Sequence, residues 1–347
     1  MEIQFLDVGC GDAIHIRFIG TEGEPRNILI DGGTDKKDIY DKVLKKRIED
    51  IVDTKKEKID LWIISHIDDD HIGGVIRLLH DTALLDKVKL HEVQFWFNYS
   101  IHDLDTGLGK NNLKNVSQGI LLRDYLLEHS NVVGQITDGM GTIDLWGVKA
   151  TILSPNAKIH NALLAKWSKE EKIIKPNPPS ELKVSDRNDY KTKIEDFDLN
   201  KEVVNPTIEN ASSIAVLLEA NGEHILLTAD SRASVLTKAL KTINDGKKVK
   251  LKYMQVPHHG SRYNISKKML ELVDCSDYII SGDGFNKDNL PNKHTLVKIL
   301  AANPGKEINF HITQKNVVTE SIFKVDTKHT INLFFPQKGN DALKFTI

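Results

Sequence analysis

The chain has 347 residues, 40% of them hydrophobic and 28% charged, with a formal net charge of −2. That length supports a sizeable core, in one large domain or two ordinary ones, and the near-neutral total excludes the global charge signature of a nucleic-acid binder while leaving room for a local basic groove. Two cysteines, Cys10 and Cys275, are too few for a disulfide framework or a thiolate cluster and read as free thiols in a reducing cytoplasm.

The N-terminal stretch "MEIQFLDVGCGDAIHI" has no basic n-region, and Glu2 and Asp7 interrupt its apolar residues, so it reads as a first strand and not a signal peptide. No apolar run approaches the eighteen or so residues needed to span a bilayer, and the expectation is a cytoplasmic protein without a membrane partner. "EIQFLDV" and "DAIHIRFI" are strands separated by a "GCG" hairpin turn, and "NILIDGG" is a third strand closing on a glycine pair. "KKDIYDKVLKKRIEDIV" has helical spacing, with Ile39, Val43, Leu44, Ile48 and Ile51 on one face. The apolar strand "IDLWIIS" runs into the helix "HIGGVIRLLHD"; the strand "HEVQFWFN", a helix over Leu113–His129 and the strand "VKATILSP" follow. Between residues 155 and 210 periodicity fails in a Pro-, Asn- and Asp-rich insert that reads as a loop or lid, with a short helix at "NALLAKWSKEEKII". Order returns with "SSIAVLLEANGEHILLTAD", two strands about an "NG" turn. Next come the helix "SRASVLTKALKTI", the strand "KLKYMQV", the helix "SKKMLELV", the strand "DYIIS" and the helix "HTLVKILAAN". Residues 305–347 read as strand-rich through "EINFHIT", "ESIFKV", "HTINLFF" and "ALKFTI". The plan is one layered α/β domain over residues 1–347 with a long insertion and a C-terminal extension.

Three polar clusters each follow the C-terminal end of a strand: His66 to His71, Asp230, and His258 with His259. In layered α/β folds catalytic groups gather beyond strand ends, so these clusters can converge if their strands lie side by side. Histidine and aspartate are the ligands of divalent metals in hydrolytic sites. A helix N-cap needs only one aspartate, so three in a row between two histidines favour metal binding, with Asp69 as the outlier that faces solvent or caps the helix. Gly73 and Gly74 remove side chains where the helix after His71 must approach its neighbours.

"FLDVGCGDAIHI", "ILIDGG", "SHIDDDHIGG", "NASSIAVLLEANGEHILLTAD", "VPHHGSRYNIS" and "YIISGDGFN" resemble, in the same order, successive blocks of the metallo-β-lactamase superfamily, and specifically its ComEC-like branch. The resemblance spans residues 3 to about 300 and has no counterpart for a membrane channel. It implies a four-layer αββα sandwich with two divalent metal ions, zinc or manganese, at one edge. Carried onto this chain, Asp70, His71 and Asp230 would hold one metal; His66, Asp68, Asp230 and a histidine of "HHG" would hold the other. His258 is the favoured ligand because adjacent residues on an extended chain point opposite ways; His259 then contacts substrate or supports the site by hydrogen bonding. Asp70 and His259 are the candidate catalytic residues, and Ser261, Asn286 and His294 the candidate substrate contacts. Asp68 replaces the superfamily's second histidine and shifts the site towards harder ions such as manganese. Ser154 stands near the place of another superfamily histidine; His160 is a substitute in position but reads as an exposed loop residue. Asp12 either borders the site or stabilises its turn, and Asp31 braces the metal loop by hydrogen bonds. His15, His80, His91 and His102 read as structural or surface residues.

The function this implies is metal-dependent hydrolysis of a phosphodiester, most simply in nucleic acid. The alternatives are hydrolysis of a lactone, another small ester or a cyclic nucleotide, or an effector subunit of a defence-type assembly with a protein partner on the insert or the extension.

Overall fold

The computed structural model describes residues 1–100, 114–171, 189–200, 207–286 and 288–347. Alternation in the first third gives the strands β1 (Glu2–Leu6), β2 (Ala13–Ile19), β3 (Pro25–Asp31), β4 (Leu61–Ile64), β5 (Gln94–Phe97) and β6 (Asn131–Val133). The second half supplies β7 (Thr142–Leu145), β8 (Val148–Ser154), β9 (Ala215–Ala220), β10 (Glu223–Leu227), β11 (Val249–Lys250), β12 (Tyr253–Gln255), β13 (Val273–Asp274), β14 (Asp277–Ile280), β15 (Asn309–Ile312), β16 (Asn332–Phe334) and β17 (Ala342–Thr346). Among the described residues they form a seven-stranded sheet in the order β17-β1-β2-β3-β4-β5-β6, an eight-stranded sheet in the order β16-β15-β14-β12-β10-β9-β8-β7, and the small pair β11-β13.

Strand period two divides the core into three layers. Ile28 and Ile30 of β3 and Leu61 and Ile63 of β4 meet Val216, Leu218, Ile225 and Ile279 of the second sheet between the two sheets. Their neighbours Leu29, Trp62 and Ile64 face outward, under the helices α1 (Lys37–Lys42), α2 (Leu44–Glu49), α3 (Asp69–His80), α4 (Thr82–Val88) and α5 (Lys114–His129). After α6 (Ala157–Glu171) and α7 (Ile208–Ala211), the outer face of the second sheet is covered by α8 (Ala233–Ile243), α10 (Lys267–Leu270) and α11 (Lys293–Ala302), with the short turn α9 (Pro257–Gly260) between α8 and α10. This is the expected four-layer αββα sandwich. The wholly apolar β4 is explained by burial on both faces.

Several elements differ from the sequence reading. The single helix over residues 36–52 is broken at β-branched Val43 into α1 and α2, then ends in a wider turn over Asp50–Thr54. "SKKMLELV" yields only the four-residue α10. "ESIFKV" is a 3₁₀ turn at Thr319–Ser321, because Val318 and Ile322, four residues apart, share one core face. The helix α4 and the strands β6, β7 and β13 were not anticipated. The predicted helix start, Leu113, and His102 lie outside the described residues, as do residues 172–188 and 201–206 of the insert. Residues 189–200 of the insert pack on α11: Asp189 accepts from the backbone N–H groups of Lys293 and His294, each at 2.9 Å, and buried Lys293 pairs with Asp326. No helix among the described residues is long and apolar enough to cross a membrane.

Candidate metal centre

The three polar clusters converge, but across the sandwich and not along one sheet. The strands β10 and β12 are parallel neighbours in the second sheet, whereas β4 belongs to the first. The β4 loop is clamped by Asp31 at the end of β3. Its carboxylate accepts from the Ser65 backbone N–H at 2.7 Å, the Ser65 hydroxyl at 2.6 Å and His71 Nδ1 at 2.7 Å, which is the bracing role expected of it. With Nδ1 committed as a donor, His71 presents Nε2 to the interior of the site. Glycine lets α3 lie against the segment that follows β3: a Cβ on Gly74 would lie 1.9 Å from the Gly32 carbonyl oxygen, and one on Gly73 would lie 2.2 Å from the Asp35 nitrogen.

Asp230, one per cent exposed, stands at the centre. Its Oδ1 lies 3.5 Å from both His71 Nε2 and His259 Nε2, and His259 Nε2 lies 3.3 Å from Asp70 Oδ2. Its Oδ2 lies 3.4 Å from His258 Nε2 and 3.7 Å from His66 Nε2, which is itself 3.7 Å from Asp68 Oδ2. The two carboxylate oxygens thus look into two separate sets of donors. Asn210 of α7 also donates to Oδ2 at 2.9 Å. Asn264 fixes His258 by accepting from its Nδ1 at 3.0 Å, and holds the Asp230 carbonyl through its own amide at 2.9 Å.

The extended-chain argument for "HHG" does not hold. His258 and His259 have φ of 51° and 53°, and Gly260 follows at 84°, so consecutive left-handed residues curl the chain. Both rings therefore face Asp230, one towards each oxygen. Two non-glycine residues in this conformation imply strain of order 1–3 kcal/mol each, sustained by the surrounding contacts.

Asp12 is fully buried beside them, with Oδ2 accepting from Gln255 at 2.8 Å and Oδ1 lying 3.9 Å from His259 Nδ1. Burial pushes its carboxyl up, against the opposing pull of His259 and His71. Burial alone would lower His259, but Asp230, the bond to Asp70 and the charge of Asp12 outweigh it and raise it to about 9. His71 is raised the same way against burial, by Asp230 and Asp31. For Asp230, burial opposes ionisation, yet His258, His259 and His71 hold the carboxyl well below its usual range. The site is built to gather positive charge.

Divalent ions meet that demand. Asp12, His71, Asp230 and His259 offer ligand atoms within 4.8 Å of one another. His66 Nε2, Asp230 Oδ1, Asp12 Oδ1 and His259 Nδ1 are buried without a hydrogen-bond partner, a state that costs free energy unless something satisfies them. Imidazole nitrogen and carboxylate oxygen are the donors such ions take.

An open cavity of about 450 Å³ lies over the centre, lined by Asp68, Asp70, Asn210, Asp230, His258, His259, Lys36, Phe285 and Asn286, among others. Of the expected substrate contacts, Asn286 lines it. Ser261 is buried and does not; His294 is turned away, with Nε2 3.3 Å from the Asp198 carbonyl and its ring on Phe197. Asp69 neither faces the centre nor caps α3 with its side chain: it accepts from Gln118 of α5 at 2.8 Å. His160 is buried on α6 and not exposed on a loop, and Ser154 is buried with its hydroxyl unpartnered. His15 is buried against Asn27, while His80 and His91 are exposed. Asn210 and Lys36 were not singled out from the sequence. Asn210 opens the block "NASSIAV", and that position was its one available signal.

No family model matches the chain, and no curated protein matches it. Solved structures with a similar chain course include the metallo-β-lactamase fold protein YhfI from Bacillus subtilis, at 10% identity and TM-score 0.44 over 99% of each chain. A diphosphatase from the PhnP family matches at 11% identity and TM-score 0.44, over 100% of this chain and 98% of that one. A long-form RNase Z from yeast matches at 11% identity and TM-score 0.35, over 90% of this chain and 36% of that one.

Proposed function

We propose that the protein is a metal-dependent hydrolase of phosphodiesters, with nucleic acid as the leading substrate class, and that it belongs to the ComEC-like branch of the metallo-β-lactamase superfamily. The observation that carries this reading is the carboxylate of Asp230, whose two oxygens face two sets of donors: Asp70, His71 and His259 on one side, His66, Asp68 and His258 on the other. Two divalent ions in those sets would supply Lewis acidity, lowering the pKa of water and offsetting charge on phosphoryl oxygens. Asp70 has 37% of its side chain exposed where Asp230 has 2%, so Asp70 is the carboxylate that can meet water from the cavity and take its proton. Asp31 fixes the ring of His71, and Asn264 that of His258, so the donors are preorganised. Lys36 places a cation on a cavity wall otherwise rich in carboxylates, which suits an anionic substrate. The ordered sequence blocks support the branch.

The test is hydrolysis of bis-p-nitrophenyl phosphate and of single- and double-stranded DNA by chelator-treated protein resupplied with zinc or manganese. Activity on phosphodiesters should return with metal and fall at least a hundredfold in Asp70→Asn and in Asp230→Asn. Metal-dependent turnover of lactones with none of phosphodiesters would overturn the substrate class. Activity that survives both substitutions would overturn the centre.

A further inference from the structure

The turn between β1 and β2 brings a thiol to the same centre. Gly9 and Gly11 flank Cys10 with φ of 81° and 156°. A Cβ on Gly11 would sit 2.3 Å from the Asp70 carbonyl oxygen, so glycine alone lets this turn lie against the start of α3. The Asp12 N–H then donates to that same carbonyl at 3.2 Å. The result is a set in which Cys10 Sγ, an Asp70 carboxylate oxygen and a His259 ring nitrogen all lie within 4.8 Å of one another. Ligands sharing one tetrahedral zinc stand roughly 3.5 Å apart, given bonds near 2.0–2.3 Å. Cys10 is half-buried and lines the cavity. A second observation concerns the histidine of this set: His259 is two per cent exposed and its Nδ1 has no hydrogen-bond partner.

We propose that Cys10 is a thiolate ligand of an ion that it shares with Asp70 and His259. This rests on the metal centre proposed above. As the sulfur–metal bond forms, the thiol proton passes to solvent and no oxidation state changes. The consequence is a centre of two unlike halves. The half with His66, Asp68 and His258 offers only nitrogen and oxygen, whereas a soft sulfur donor biases the other half towards zinc. It also makes that half vulnerable to oxidation of the thiol.

Cobalt(II) substitution reads this without activity. Cobalt bound to the wild-type protein should show its visible d–d absorption together with a near-ultraviolet sulfur-to-cobalt charge-transfer band. Cys10→Ser should lose the charge-transfer band and keep the d–d absorption. Cys275 serves as the internal control, since it is one per cent exposed and its thiol donates to the Asp277 carbonyl at 3.2 Å in a different core. Cobalt bound with d–d absorption but no charge-transfer band, or a band that persists in Cys10→Ser, overturns the assignment of Cys10 alone. A wild-type protein that binds no cobalt overturns the metal centre and Cys10 with it. Should Cys10→Ser fail to fold, iodoacetamide labelling of the wild type decides: zinc must slow modification of Cys10 at least tenfold, and equal rates with and without zinc refute the proposal.

Discussion

At the scale of single residues, Asp31 bears directly on whether the centre is rigid. It makes no contact with the cavity, yet three donors converge on it: the Ser65 N–H, the Ser65 hydroxyl and His71 Nδ1. Asp31→Ala leaves the Ser65 N–H and His71 Nδ1 without this acceptor, while the Ser65 hydroxyl keeps His66 Nδ1 at 3.1 Å. Each orphaned group costs about 1–3 kcal/mol, so denaturant titration should show a loss of several kcal/mol. Zinc affinity measured by calorimetry should fall about 10- to 100-fold as His71 loses its fixed orientation. A stability loss without any change in affinity would show that the bracing is purely structural. His15 provides a test away from the centre. Burial lowers it to about 4, although its bond to Asn27 pulls the other way. The unfolded chain therefore binds the proton first as pH falls. His15's destabilising effect is absent above about 6.5, grows as pH falls towards 4, and reaches at most roughly 3 kcal/mol. His15→Gln, which can keep a hydrogen bond to Asn27, should match wild type at pH 7.5 and exceed it in urea stability at pH 4.5. What the sequence disclosed at this scale was chemical type. The His and Asp residues of "SHIDDDH", with Asp230 and "HH" later in the chain, marked a candidate metal centre by identity. Their directions were hidden wherever backbone conformation was not the extended default, as at His258 and His259, and Asn210 was hidden because asparagine before a strand is common for other reasons.

At the scale of elements, α3 is the most constrained piece. Its inner face is apolar and buried through Ile72, Val75, Leu78 and Leu79, which is why its pattern was readable in advance. Its closeness to β3 was readable only as the pair Gly73–Gly74. Alanine at either position should gain up to about 1 kcal/mol of helix propensity on an isolated helix. In place, Gly74→Ala drives a methyl group into backbone, 1.9 Å from the Gly32 oxygen, and backbone cannot swing aside as a flexible side chain can. The expected net result is destabilisation by more than 3 kcal/mol, together with weakened metal binding, because the same shift moves Asp70 and His71. Stability equal to wild type would mean that α3 can slide without cost. The elements that escaped the sequence reading share a physical cause. The strands β6 and β13 have three and two residues, too short for a period to declare itself. The break at Val43 falls inside an unbroken apolar stripe that suits two short helices as well as one long one.

At the scale of the whole molecule, the centre is a junction. Asp12, Asp70 and His71 hang from the first sheet, while Asp230, His258 and His259 hang from the second. The sheets are otherwise joined by the apolar layer between them and by β17, which leaves the second half of the chain to pair with all five residues of β1. Alternating strand and helix periods made a layered α/β plan legible, while the αββα order came from the resemblance of the ordered blocks. The closure by β17 was not, since pairing between the first and last strands leaves no local mark on either. An ion ligated from both sheets would bind the folded protein and not the separated halves, so it must stabilise the whole sandwich by mass action. At a hundred times its dissociation constant that gain is about 2.7 kcal/mol, which corresponds to a rise in Tm on the order of 5 °C for a chain of this size. Calorimetric scans of chelator-treated protein, repeated with zinc or manganese, should show a single transition moving upward with metal concentration. Asp230→Ala should abolish the movement, because it removes the one carboxylate that faces both donor sets. A metal-dependent rise of the same size in Asp230→Ala would place the bound ion elsewhere in the molecule.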